Sequence, residues 1–183
     1  MKEEFRKYII DLYQDVPISL YEGLLSILCF GAVLSMTVWG IKKGLKQFAR
    51  LLLIEYVILL FCSTVIFRVY NESRGHNLNP FWSYAAIQEG RTELLVENIM
   101  NVMVFVPVGI LLGSLLRVKG SWLIALLIGL CISISIEAMQ FFFHRGFAEM
   151  DDVMHNTLGC ILGYMLVKGS RLMVKSFVKN NIT

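Results

Sequence analysis

Charge is scarce in this 183-residue chain: Asp, Glu, Lys and Arg together make up 17% of it, against roughly a quarter in a soluble domain. So sparse a polar complement could not cover the surface of a water-soluble fold. Cysteines are few and scattered. Cys29, Cys62, Cys131 and Cys160 form no CxxC pair and no Cys/His zinc spacing, so they read as small apolar residues. No phosphate-binding loop or nucleophile elbow is present, and no cofactor is evident. The net charge of +3 is too small and too dispersed for a nucleic-acid footprint. Disordered, collagen-like and linker sequences are excluded by the same composition.

What the chain has is apolar length. Hydrophobic residues reach 56% and the mean hydropathy is +0.64, which makes the bilayer the expected solvent. Met1 to Val16 carries Phe5, Tyr8, Ile9, Leu12 and Val16 at helical spacing and reads as an interfacial amphipathic helix. Spans are expected over Leu20–Ile41, Ala49–Tyr70, Asn98–Leu116 (with a kink at Pro107), Trp122–Phe143 and Asp152–Val167, the last one short. The long connection Asn71–Glu97 holds the Asn79-Pro80 turn signal and a short helix ending at Gly90. The fold class is therefore all-α: one domain, residues 1–183, a polytopic integral membrane helix bundle of about five transmembrane helices plus an N-terminal amphipathic helix.

Basic residues set the orientation. Lys42, Lys43, Lys46, Arg50, Arg117, Lys119, Lys168, Arg171, Lys175 and Lys179 fall on one side of the five spans. Glu55 is the acid that accompanies them. The positive-inside rule then places the N-terminus outside and the C-terminus in the cytoplasm.

In that arrangement three helices bring polar groups to one depth near the outer face. Asn98 and Asn101 open the third span. Ser133, Glu137, Gln140 and His144 form a stripe on the fourth. Asp151, Asp152, His155 and Asn156 open the fifth, with Arg145 in the turn before it. A charge in hydrocarbon costs roughly 2.5–3.5 kcal/mol, so Glu137 calls for a partner, and Arg145 is the expected one. Asp151 is expected to cap its own helix through the amides of Val153 or Met154. Asp152 shares a face with Asn156 and the Gly159-x-x-x-Gly163 seam. Glu55 is left to snorkel or to pair with a lysine, and His76 reads as a loop residue. The adjacent carboxylates Asp151 and Asp152 are compatible with acid–base work, with a divalent cation or with a cationic ligand. The cytoplasmic halves of spans three to five lack polar residues, which argues against a transport path.

Asn79-Pro80-Phe81, the run Glu97–Gly109, the run Ser133–Gln140 followed by Arg145, and the run Asp151–Gly159 together resemble the motifs of the VanZ-like family over about residues 77–167. The resemblance implies a bacterial plasma-membrane protein of the cell envelope, linked to glycopeptide resistance of the teicoplanin type. It supplies no reaction. Two functions are open. The first is a binder whose outward polar cleft, built of Asn98, Asn101, Glu137, Gln140, Arg145, Asp152 and Asn156, holds an envelope lipid, a peptidoglycan precursor or a glycopeptide. The second is a membrane enzyme using Glu137 with Asp151 or Asp152 as acid and base, or as metal ligands, on a lipid-linked substrate.

Overall fold

The computed structural model describes residues 44–68, 70, 75–116, 118 and 120–182. The amphipathic segment and the first span expected from the sequence lie outside these residues. Five helices and two short strands follow in order: α1 (Leu45–Phe61), continued by a π-helical turn (Cys62–Ile66), β1 (Gly75–Asn77), α2 (Trp82–Gln88), α3 (Glu93–Leu115), α4 (Ser121–Phe143), β2 (Phe147–Glu149) and α5 (Met150–Ile182).

Four helical stretches are long and apolar enough to cross a bilayer: Leu45–Ile66, Glu93–Leu115, Ser121–Phe143 and Met150–Val178. Large apolar side chains remain uncovered on them, among them Phe142, Met165 and Leu166. In water such faces would be a liability, whereas in hydrocarbon they need no cover. The molecule is an all-α membrane helix bundle.

Helix α5 is the axis of packing and lies along α3. Glycines on α5 allow this. A Cβ on Gly159 would fall 2.0 Å from the Val102 carbonyl oxygen, and one on Gly163 would fall 2.1 Å from that of Val106. The two backbones therefore touch at the expected small-residue seam. Phe105, Val108, Leu112, Ala125, Ile136 and Cys160 fill the core around this contact.

Several expectations need correction. The fifth span is not short: α5 runs 33 residues. Helix α3 begins at Glu93, so Glu97 belongs to the helix and not to the preceding connection, and the helix continues through Pro107. Glu55 does not snorkel, being 2% exposed. His76 is a strand residue, packed edge-on against Phe141 at 5.8 Å. Strands β1 and β2 pair in parallel, with His76 opposite Ala148 and Asn77 opposite Glu149. At three residues each, they carry too little pattern to be read from sequence.

Helix ends without water need partners from the protein, and neighbouring helices supply them. In the π-helical turn that ends α1, the Thr64 carbonyl accepts from Gln140 Nε2 at 3.0 Å. The Ile66 and Arg68 carbonyls accept from Arg145 Nη1 at 3.1 and 2.6 Å. At the end of α3, Arg171 donates to the Gly113 and Ser114 carbonyls and Lys168 to that of Leu116. Cations at these carbonyl-rich ends also complement the helix dipoles.

Candidate functional site

Helix α2 starts without a capping side chain of its own, at Phe81, whose φ of 64° is left-handed. A bulky residue adopts that conformation only under constraint. The constraint comes from α5. Asp151 Oδ1 accepts from the Phe81 N–H at 2.5 Å, and Oδ2 accepts from the Ser83 N–H at 2.9 Å and the Ser83 hydroxyl at 2.5 Å. Asn98 Nδ2 donates to the same hydroxyl at 3.0 Å. Asp151 is 1% exposed, so it is a buried capping group. It caps α2 and not its own helix, which corrects the sequence expectation.

One residue further on, Asp152 Oδ1 accepts from Asn101 Nδ2 at 2.7 Å, tying α5 to α3. Glu137 on α4 accepts the Glu149 backbone N–H at 2.9 Å. Its expected pairing with Arg145 is absent, because that guanidinium is turned to the end of α1. Among the described residues, the cation that acts on the acidic cluster is Arg68. Its charge reaches Glu97, Glu137, Glu149 and Asp152, and its guanidinium lies over Gly146. There a Cβ would fall 2.7 Å from Nη1, and the φ of +147° also favours glycine. Burial pushes the Glu149 carboxyl above its ordinary range, and the charge of Glu97 pushes it further. The Trp82 indole N–H faces that carboxyl without closing a hydrogen bond of good geometry.

The remaining polar residues form pairs around this cluster. Asn156 Nδ2 donates to Ser133 Oγ at 2.9 Å. Tyr84 Oη and His155 Nε2 lie 2.8 Å apart, while the buried Nδ1 of His155 has no hydrogen-bond partner. His144 ends α4 in a left-handed conformation and stacks on Tyr70 at 5.5 Å. Among the described residues, no three His, Cys, Asp or Glu side chains are arranged to hold a metal ion.

Beside the cluster, an apolar groove of about 660 Å³ runs along α4 and the start of α5. Leu130, Ile134, Phe141 and Val153 line it, and Glu137 and Glu149 form part of its wall. Acidic groups and an apolar trough thus share one boundary.

The structure brings Asn101, Glu137 and Asp152 together with Glu97, Glu149 and Arg68. It places Asn98 and Asp151 at the start of α2, Gln140 and Arg145 at the end of α1, and Asn156 between α4 and α5. Sequence reading passed over the roles of Ser83, Tyr84 and Arg68. Ser83 and Tyr84 lie in a segment with no amphipathic period, and Arg68 is a basic residue at a span end, a common feature with a common explanation.

No solved structure matches the chain. Protein VanZ of Enterococcus faecium is 31% identical over 127 residues, which cover 69% of this chain and 73% of that protein. The VanZ/LLP1 family profile matches residues 48–174, a wider region than 77–167, where the motifs lie. The matched region reaches into all four described spans and holds every member of the acidic cluster, and the chain belongs to the VanZ/LLP1 family.

Proposed function

We propose that this VanZ-like protein acts at the bacterial cell envelope and contributes to resistance of the teicoplanin type by holding an amphipathic ligand. The apolar part of the ligand lies in the groove along α4, and its polar part meets Glu137, Glu149 and Asp152. The observation that carries this reading is the shared boundary of acidic cluster and groove. Among the described residues, four carboxyl groups lie within electrostatic reach of the Arg68 guanidinium, a balance that favours ligands presenting amines or amide donors over bare phosphates. In this reading the cluster opens toward the outside, with the N-terminus outside and the C-terminus cytoplasmic, an orientation supported by the distribution of Lys and Arg.

Complementation of a deletion strain tests the reading, scored by teicoplanin susceptibility at matched membrane abundance. Asp152→Asn and Glu137→Gln keep side-chain shape and remove charge, and each is expected to abolish protection. Full protection by both variants refutes the cleft. Reconstituted vesicles that convert a lipid-linked precursor into a new product would turn the proposal into the enzymatic one. In that case Glu137 and Asp152 are the acid–base pair, since Asp151 is occupied in capping. Orientation is tested by thiol labelling in intact cells, using a cysteine-free background. A cysteine in the connection that precedes α3 should label with an impermeant reagent, and one at Lys46 should not.

A further inference from the structure

At the end of the bundle away from the acidic cluster, a second groove of about 530 Å³ is lined by Lys168, Arg171, Leu172 and Lys175. These residues recur at 3–4-residue spacing on α5, so their charges share one face. Two of them are held in place. Lys168 Nζ donates to the Leu116 carbonyl at 2.6 Å and lies 5.3 Å from the centre of the Tyr164 ring. Arg171 spends Nη1 and Nη2 on the Gly113 and Ser114 carbonyls. Each keeps further N–H donors.

Carboxylates are missing from this end of the three packed helices. No Asp or Glu occurs from Asn98 through Ile136, or anywhere after Asp152. Three cations within two turns repel one another, and among the described residues helix carbonyls offset that for Lys168 and Arg171. The groove lies beside the end of the α3 span, and Leu172 in its lining and Met165, Leu166 and Met173 on the same helix are exposed to the surroundings. The occupant that satisfies both features has an anionic phosphodiester head and acyl chains.

We infer that Lys168, Arg171 and Lys175 form a binding site for the phosphodiester headgroup of an anionic phospholipid from the adjacent leaflet. Clusters of Lys and Arg at the end of a transmembrane helix are suited to such heads. The geometry pins α5 to the membrane surface as it leaves the bundle and fixes its register against α3. The site is independent of the acidic cleft.

The test uses the full chain in nanodiscs of phosphatidylcholine carrying a minor fraction of spin-labelled phosphatidylglycerol or spin-labelled phosphatidylcholine. The wild-type protein is expected to immobilise the glycerol lipid about tenfold more than the choline lipid. Lys175→Gln should cut that preference several-fold with no change in thermal stability, because Lys175 does not cap α3. Arg171→Gln should reduce both. Equal immobilisation of the two lipids, or an unchanged preference in Lys175→Gln, overturns the inference. Displacement of the labelled lipid by millimolar inorganic phosphate also overturns it, and assigns the groove to a soluble anion.

Discussion

Asp151 on α5 accepts both the backbone N–H and the hydroxyl of Ser83, at 2.9 and 2.5 Å, across 68 positions of sequence. The contact makes the first turn of α2 a dependency of α5. It also holds Phe81 in a left-handed conformation, a strain of order 1–3 kcal/mol for a non-glycine residue.

Replacing Asp151 should therefore damage the fold before it touches function. In Asp151→Asn, an amide NH2 replaces one of the two accepting oxygens, so a buried N–H is left facing a donor. Hydrogen bonds to charged groups contribute about 1.5–3 kcal/mol each. Membrane yield and the melting temperature in detergent, followed by fluorescence-detected size exclusion, should fall clearly for Asp151→Asn and further for Asp151→Ala. Asp152→Asn should lose less, since an amide oxygen can still accept from Asn101.

Coupling in the acidic cluster is expected to follow Arg68. Glu137→Gln and Arg145→Ala act on different elements, one at the end of β2 and one at the end of α1. Their effects on stability should add within about 0.5 kcal/mol. Glu137→Gln combined with Arg68→Gln should depart from additivity by more than that. A double-mutant cycle with coupling for Arg145 and none for Arg68 would reverse the assignment.

Glu149 gives a pH signature. Its folded-state pKa is raised by burial and by Glu97, so the folded protein holds this proton at pH values where the unfolded chain has released it. Stability from this group is thus greatest at low pH. It declines as pH rises from the ordinary carboxyl value of 4.5 through the raised folded value. Glu149→Gln keeps the neutral form at all pH values. The melting temperature of Glu149→Gln minus that of wild type should be near zero at acidic pH and should become positive as pH rises. A gap that is constant across the titration would show that Glu149 is solvated in the folded state.

Much of this arrangement was legible because polar residues in apolar runs are conspicuous. Asn101, Glu137 and Asp152 stand out for that reason, and the starts of their helices lie within about five residues of where the sequence places them. Arg68 and Ser83 did not stand out, since their importance arises only from contacts 15 to 70 or more positions away. The same holds for Asp151. An acid at a helix start has a sufficient local explanation, and only the tertiary structure shows that it caps a different helix. The length of α5 was hidden by Lys168 and Arg171, which look like the polar end of a span. In the fold their stems run along α3 and their charges reach its terminal carbonyls, so the helix passes through them without interruption.

The contact between α3 and α5 sets the position of the cleft, and Gly159 sets that contact. A Cβ there would meet the Val102 carbonyl oxygen at 2.0 Å and its carbonyl carbon at 2.8 Å. Both are backbone atoms of a rigid helix, so no side chain can rotate aside. Gly159→Ala must therefore separate the helices or tilt one against the other, at a cost typical of overpacking, about 1–3 kcal/mol. Separation also stretches the Asn101–Asp152 hydrogen bond, which lies about two turns away at the same interface. Gly169 provides the control, since a Cβ there would meet no atom within 4 Å. Gly159→Ala should lower the melting temperature and reduce teicoplanin protection together, and Gly169→Ala should leave both at or above the wild-type level. If Gly159→Ala is as stable and as active as wild type, close backbone contact is not what positions the acidic cluster.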